Sequence, residues 1–383
     1  MKPAGCEPEA GKKVLTIGGA MIDTIAVIDD ELIERMSMNN ADRAYLLLEE
    51  GRKTEASEIS THAGGGAINT AVSFGRLGCQ VVTLVKLGQD SRARAIRDVL
   101  QAEGISQDLI AETAAMGTGA SVLISAHERN AAIFTFRGAN SLLQLEDLPD
   151  RELRDGGFFQ DIVYITGLSD RSADVFPEIV DRAASCGAFV AANPGIRQLT
   201  ARGHAFQKAL ANISLLSMNR EEAAALLPLL VAHQPKLIGK SVPVTKGEPP
   251  ELMRRSLSAS GFEMTLPHFF QALLSLGPQC ILVTDGKYGA YAATGAEIDF
   301  CPSISTNVVG TAGAGDAFTS TFTLMFSSGM KPGEALHYAT ANASSVVGFA
   351  DTQSGLLNRN ELEKRKDSLK SKLPLQSWRR AEG

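Results

Sequence analysis

Short apolar runs alternate with segments of helical periodicity along most of this chain, and that alternation restricts the possible folds more than any other feature. The runs occur at residues 14–17, 81–85, 162–165, 189–192, 213–217 and 281–284. Strands that are apolar on both faces are typical of a parallel sheet with helices on either side. We therefore predict an α/β fold, a three-layer sandwich in which a mainly parallel central sheet lies between helices.

Glycines and polar capping residues mark the ends of the intervening helices. Apolar residues recur at helical spacing over residues 67–77, and Gly78 follows at a position that favours glycine. A second helix is predicted over residues 91–103, with Asp90 or Ser91 as its N-cap. Both helices follow the pattern expected between parallel strands.

Two segments interrupt the alternation and predict a small β lid. Residues 120–126 and 131–136 are strand-like, and the polar residues between them indicate a β-hairpin. Residues 26–61 are polar with short alternating stretches. We expect both segments to cover the carboxyl ends of the parallel strands, where a lid can exclude water from a bound substrate.

These patterns predict how the chain is divided. The expected parts are a flexible tail over 1–12, an α/β core over 13–25, 62–117 and 138–360, a β lid over 26–61 and 118–137, and a charged C-terminal segment over 361–383. We expect that last segment to form a surface helix followed by a tail. Residues 227–261 show no clear period and are interpreted as an irregular insertion.

Composition excludes several classes of function. The formal net charge is −6, so no basic surface for nucleic acid is indicated. The five cysteines are widely spaced and form no CxxC pair, which favours a reduced cytoplasmic protein without a metal cluster. No apolar run reaches the roughly 18 residues of a membrane span, so we expect no membrane partner.

The most specific chemical signal is GTAGAGDAF, residues 310–318, which precedes an apolar helical stretch. Small residues at a helix N-terminus let backbone N–H groups approach an anion closely. A P-loop would carry lysine where Asp316 stands. A carboxylate beside a phosphate site is repulsive unless it accepts a proton from a hydroxyl that attacks phosphorus. The alternative is that Asp316 only caps the helix.

The GAGD sequence over residues 313–316 resembles the C-terminal signature of the ribokinase-like (PfkB) carbohydrate kinase family. The resemblance implies an ATP-dependent sugar kinase in which Asp316 is the general base. It also implies that the backbone N–H groups of Gly313, Ala314 and Gly315 form an anion hole for the transferred phosphoryl group.

Other segments resemble motifs of the same family, in the same order. GGAMID ends at Asp23 and GGGAIN runs from Gly64 to Asn69, so the resemblance implies that Asp23, Gly64, Gly65 and Asn69 bind the acceptor. Taken alone, Asp23 could cap a turn, and the glycines could simply precede a helix.

The nucleotide side of the site is also implied by resemblance. An NxxE motif places Asn219 near the phosphates and Glu222 where it would hold Mg²⁺ through water molecules. Thr284 and Gly286 belong to a strand-turn that supports ATP, and Asn342 matches a position at the adenine pocket. Ordinary helix starts and a β-hairpin would explain the same residues.

The sequence departs from the family pattern where many members carry DTxGAGD. Gly310 and Ala312 replace the Asp and Thr that help to form a monovalent-cation site, so we expect little or no activation by K⁺. The resemblance also implies a homodimer through the lid strands.

Three alternatives to a sugar kinase are considered. A nucleoside kinase would need aromatic groups to stack on a base, and Tyr45 and Phe134 in the lid are candidates. A nucleotide-binding oxidoreductase is disfavoured because no strand is followed by GxGxxG. A kinase-like protein that no longer turns over is disfavoured by the intact Asp316.

Overall fold

A nine-stranded mixed sheet runs through the middle of the structure. The structure is a computed structural model, and it describes residues 11–29, 34–37, 44–47, 51, 53–126, 132–148, 161–201, 203–233 and 249–379. The strands are β1 Lys13–Ile17, β2 Met21–Ile28, β3 Glu34–Ser37, β4 Ala44–Leu47, β5 Glu58–Gly64, β6 Gln80–Leu84, β7 Lys86–Gly88, β8 Ala111–Thr113, β9 Gly119–Ala126, β10 Ala132–Phe136, β11 Ile162–Thr166, β12 Phe189–Asn193, β13 Leu215–Asn219, β14 Leu257–Ala259, β15 Phe262–Met264, β16 Cys280–Thr284, β17 Ala290–Thr294, β18 Glu297–Cys301 and β19 Gln376–Arg379. The helices are α1 Gly66–Arg76, α2 Ser91–Ala102, α3 Phe176–Ser185, α4 Ile196–Ala201, α5 Gly203–Ala209, α6 Arg220–Ala225, α7 Leu227–His233, α8 Glu251–Arg255, α9 Leu266–Leu274, α10 Ala314–Ser327, α11 Pro332–Val346 and α12 Arg359–Leu369.

The strand order of this sheet is β19-β18-β17-β16-β13-β12-β11-β1-β6. Strands β16, β13, β12, β11, β1 and β6 are mutually parallel, whereas β17, β18 and β19 extend the sheet in antiparallel pairs. The parallel strands end at one edge of the sheet, and this edge is where ligands bind in open α/β folds.

Two hydrophobic cores lie on opposite faces of the sheet. Alternate residues of each strand face opposite sides, so Leu15 and Ile17 pack with α3 and α9, while Val14 packs with α1, α10 and α11. The three layers confirm the predicted α/β sandwich. Helices α1 and α2 also confirm their predicted positions, with Asp90 as the N-cap that accepts from the Ala93 N–H at 2.9 Å.

The second sheet has the strand order β10-β9-β2-β5. The pairing of β9 with β10 confirms the predicted hairpin strands, although the connecting residues 127–131 lie outside the described part. Strand β2 begins at Met21, five residues before the boundary expected at residue 26, and therefore carries Asp23 on this second sheet. We call this four-stranded sheet the lid sheet.

Two segments are more regular than the sequence indicated. Residues 227–261 contain α7, α8 and β14, with residues 234–248 outside the described part. The expected C-terminal tail contains β19, which adds to the edge of the central sheet and buries Trp378. Among the described residues, no helix combines the length and the apolar character that would let it cross a membrane.

Candidate active site

Helix α10 begins at Ala314, and its N-terminus forms one wall of the site. Gly313 is the N-cap with φ of 76°, a conformation that favours glycine, and a Cβ there would lie 2.7 Å from Thr352. Nothing in the described part of the chain accepts a hydrogen bond from the N–H groups of Gly313 or Gly315. A Cβ on Gly315 would meet no atom within 4 Å, so this turn of the backbone is open on the Gly315 side. Such amides can bind an anion.

Asp316 lies in the first turn of the same helix and contacts helix α1. The Asn69 Nδ2 donates a hydrogen bond to Asp316 Oδ2 at 2.8 Å. One turn further along both helices, Ser320 Oγ donates to Ser73 Oγ at 2.7 Å. The packing of α1 on α10 therefore fixes the carboxyl of Asp316 against the amide of Asn69.

Asp23 approaches from the lid sheet. Its carboxylate accepts a hydrogen bond from the Ser121 hydroxyl on β9, and His62 is its cross-strand partner on β5. A Cβ on Gly64 would lie 2.1 Å from Asp23 Oδ2, so any larger residue at position 64 would displace the Asp23 carboxylate. Gly65 has φ of 94° and starts helix α1, which carries Asn69. The acceptor residues implied by resemblance are thus adjacent.

Burial raises the pKa of both carboxyl groups of the site. Burial raises the pKa of Asp316 to about 6, with the Asn69 hydrogen bond opposing the shift and the charge of Asp23 adding to it. Burial also raises the pKa of Asp23, while the Ser121 hydroxyl and the charge of His62 oppose that shift. A carboxyl with a pKa near the operating pH suits a general base.

A cleft of about 340 Å³ opens at the N-terminus of helix α10. Thr284 and Gly286, expected at the nucleotide, line this cleft together with Ala314 and Gly315 of the anion-hole sequence. Much of the remaining wall is apolar and includes Ile304, Val308, Phe318 and Val347. The cleft thus joins an apolar region to a cluster of backbone amides, as a nucleotide requires.

Asn219 and Glu222 stand at the carboxyl end of β13, where Asn219 is paired with Thr284 of β16. They form a capping box, since Asn219 Oδ1 accepts from the Glu222 N–H at 2.8 Å and Glu222 Oε2 accepts from the Asn219 N–H at 2.9 Å. Burial raises the pKa of Glu222, and the charges of Glu221 and Asp316 add to this. Mg²⁺ usually keeps several of its waters, so a carboxylate can hold the ion without contacting it directly.

The structure does not place Asn342 at the nucleotide cleft. The side chain is fully buried, donates to Thr321 Oγ1 at 2.8 Å and accepts from the Leu357 N–H at 3.0 Å. It therefore holds α11 against α10, and its helix neighbours Thr340 and Ser344 line the cleft instead. The sequence alone does not show which helix packs against α11, so helical periodicity could not tell whether Asn342 or its neighbours Thr340 and Ser344 face the cleft.

Phe134, a candidate for stacking on a base, is on the wrong face of the lid sheet. The register aligns Phe134 with Val122 and Thr24, whereas Asp23 aligns with Ser121 and lies on the opposite face. Phe134 is 58% exposed. The other candidate, Tyr45, lies in β4, but its side chain is outside the described part.

Several residues of the site carry no signal in the sequence. Thr352 Oγ1 and Gln353 Nε2 donate to Asn69 Oδ1 at 2.8 and 3.3 Å, although nearly 300 residues separate them from it in the chain. Ser121 contacts Asp23 from an alternating strand that looks like any other. Only the folded arrangement reveals these contacts.

A helix N-terminus and a partly buried carboxyl beside a nucleotide-sized cleft define a small-molecule phosphotransferase of the α/β class. Residues 13–248 and 264–359 match the pfkB family carbohydrate kinases, so the chain belongs to that family and is an ATP-dependent sugar kinase.

The chain is also similar to proteins of known name in sequence and in fold. The ribokinase of Bacillus subtilis is 24% identical over 82% of this chain and 90% of its own length. The fold is similar to that of Arabidopsis thaliana ribokinase in complex with ribose and ATP, with a TM-score of 0.65 at 20% identity over 93% of this chain and 99% of that one. It is also similar to a nucleoside kinase of Methanocaldococcus jannaschii, with a TM-score of 0.68 at 17% identity over 94% of this chain and 100% of that one.

Proposed function

We propose that this enzyme transfers the γ-phosphoryl group of ATP to a hydroxyl group of a small carbohydrate, with Asp316 as the general base. The observation that supports this best is the position of Asp316. It directly follows Ala314 and Gly315, which line the cleft, and its carboxyl accepts a hydrogen bond from Asn69 and interacts electrostatically with Asp23. A base at that position would meet the acceptor and the terminal phosphate together.

Each group then has a separate task. Asp23, Gly64, Gly65 and Asn69 hold the acceptor, and Asp316 takes the proton as the acceptor oxygen bonds to phosphorus and ADP leaves. The N–H groups of Gly313, Ala314 and Gly315 stabilise the charge on the transferred group. The nucleotide is held by Asn219, Thr284 and Gly286. Glu222 would hold Mg²⁺ through water, and the ion would neutralise phosphate charge.

The acceptor is proposed to be a sugar rather than a nucleoside. The exposed Phe134 lies on the opposite face from Asp23, so it does not supply the stacking surface that a nucleoside would use. Burial and the charge of Arg197 lower the pKa of half-buried Arg137, while the charge of Asp170 opposes this shift. Sugar acids should be tested beside neutral sugars, because an arginine can bind a carboxylate.

The outer face of the lid sheet supports a homodimer. Ile59, Val122, Phe134 and Phe136 align on the face opposite Asp23, and they are 43–69% exposed. Apolar side chains clustered on one exposed sheet face are typical of an interface. We propose that a second copy of this chain covers this face.

An acceptor panel scored by ADP release tests the proposed function. Neutral pentoses and hexoses, sugar acids and nucleosides are compared with wild-type enzyme, the Asp316→Asn variant and the control Asp367→Asn, whose aspartate is 69% exposed. We expect ADP release with a sugar, a loss of about 10²–10⁴-fold in Asp316→Asn, and no loss in the control. Unchanged turnover in Asp316→Asn would refute the assignment of the base, and a preference for nucleosides would refute the acceptor.

A further inference from the structure

The side-chain amide of Asn69 is held in one orientation by groups outside the residues assigned to catalysis. Its NH₂ group donates to Asp316 Oδ2 at 2.8 Å. Its oxygen accepts from Thr352 Oγ1 at 2.8 Å and from Gln353 Nε2 at 3.3 Å. An asparagine amide can present either end to a neighbour. Here two donors on the oxygen leave only the NH₂ end to face the carboxyl.

Thr352 and Gln353 are themselves fixed. Thr352 is buried and packs against Gly313, where a Cβ would lie 2.7 Å from the threonine Cβ. The carboxylate of Asp351 accepts hydrogen bonds from the N–H groups of Gln353 and Ser354 at 2.8 and 2.7 Å. This turn therefore holds both donors in place.

The same turn contacts the lid sheet. Gln353 Nε2 donates to the carbonyl oxygen of Ala63 at 2.8 Å, and Ala63 is on β5 next to His62, the cross-strand partner of Asp23. One side chain thus joins the lid strand to the amide that faces Asp316.

We propose that Thr352 and Gln353 are positioning residues that lock the Asn69 amide and thereby keep Asp316 ionised as a base. This proposal rests on the role of Asp316 proposed above. Protonated Asp316 could donate to a flipped amide oxygen, which would stabilise the neutral form. After such a flip the Asn69 NH₂ group would face the Gln353 NH₂ group, which the Ala63 carbonyl oxygen holds as a donor, and Asn69 would lose the hydrogen bond that the Thr352 hydroxyl donates. The neutral form of Asp316 would therefore gain a partner only at the cost of these hydrogen bonds, whereas the ionised form keeps its own partner.

The lock therefore opposes burial and the charge of Asp23, both of which favour the protonated carboxyl. It leaves Asp316 Oδ2 occupied by the Asn69 amide and the second carboxyl oxygen available for the proton of the acceptor hydroxyl. Without the lock, a larger fraction of the enzyme would carry a protonated, inactive Asp316 near neutral pH.

The test uses the ligand-free protein, so it does not depend on the identity of the acceptor. The melting temperature of each variant is measured from pH 4 to about 8, with and without the additional substitution Asp316→Asn. The difference between the two melting temperatures changes with pH, and the midpoint of that change reports the titration of Asp316. Thr352→Val removes the hydroxyl at nearly constant volume, and Thr352→Ser retains it. Thr323→Val is the control, because Thr323 is buried in α10 and, within the described part of the chain, donates only to the Thr319 carbonyl oxygen at 2.6 Å.

We expect Thr352→Val to move the midpoint up by about half to one pH unit, with Thr352→Ser and Thr323→Val close to wild type. Gln353→Met should move it in the same direction, and it takes the place of Thr352→Val if that variant does not fold. An unmoved midpoint in the folded variant would overturn the lock. A wrong assignment of Asp316 as the base would be recognised separately, because the single variant Asp316→Asn would then still transfer the phosphoryl group.

Discussion

Replacing Asp316 by asparagine should stabilise the fold while it abolishes phosphoryl transfer. Burial raises the pKa of this carboxyl from 3.8 to about 6, so at neutral pH the folded protein holds an ionised group at a cost in stability. At about 1.4 kcal/mol per pH unit, the shift corresponds to at most about 3 kcal/mol. Part of the residue is still open to water, which screens the charge, and we therefore expect about 1–3 kcal/mol.

The pH dependence has a definite sign. Because the pKa is higher in the folded state than in the unfolded state, the stability contribution is fully present below 3.8 and is lost as the pH rises through about 6. The asparagine variant lacks this titration. Its advantage over wild type should be absent near pH 4 and complete above about pH 7.

Differential scanning fluorimetry across this pH range measures the effect. With an unfolding entropy of about 2 cal/mol/K per residue, 1–3 kcal/mol over 383 residues corresponds to a Tm higher by about 1–4 °C at pH 8. Asp367→Asn, at a site 69% exposed, should show no such gain. A Tm difference that is the same at pH 4 and pH 8, or an asparagine variant less stable than wild type at pH 8, would refute the reasoning.

Three further predictions concern the acceptor, the cation and the oligomer. Gly64→Ala would place a Cβ 2.1 Å from Asp23 Oδ2, so the KM for the acceptor should rise about tenfold or more while the KM for ATP changes little; equal changes in both would contradict the assignment. Gly310 carries no side-chain oxygen for a monovalent cation, and a Cβ there would lie 2.9 and 3.3 Å from the carbonyl oxygens of Phe349 and Ala350. Replacing K⁺ by a bulky organic cation should therefore leave the rate unchanged. Strong stimulation by K⁺ would contradict this prediction. Light scattering should give a dimer for wild type and a monomer for Phe134→Asp, and a monomeric wild type would rule out the proposed interface.

The central sheet was predictable because its strands are apolar on both faces. Such runs as residues 162–165 have no polar face to offer to solvent, so only a sheet covered on both sides can bury them. Strand β19 was not predictable, because its four residues follow a charged helix and acquire their regular structure only by pairing with β18. The sequence analysis assigned residues 13–25 to the core, whereas β2 begins at Met21, after Gly18 and Gly19, and carries Asp23 on the lid sheet.

The site was predictable where the chemistry depends on a local backbone shape. Gly313 has a positive φ and Gly64 lies close to the Asp23 carboxylate, and both positions carry a glycine that is visible in the sequence. Contacts between distant segments leave no such trace. Asn342 and Thr352 are ordinary polar residues in the sequence, and only the packing of α10, α11 and the following turn assigns one to the interior and the other to the site.

The central claim is that the acceptor hydroxyl and the terminal phosphate meet at Asp316. A crystal structure of the Asp316→Asn variant with a non-hydrolysable ATP analogue and the best acceptor of the panel tests this most directly. The account predicts the acceptor hydroxyl within about 3 Å of the residue 316 side chain, with a second hydroxyl on Asp23 and the γ-phosphate against the N–H groups of residues 313–315. An acceptor bound away from Asp23, or a γ-phosphate far from those amides, would contradict it.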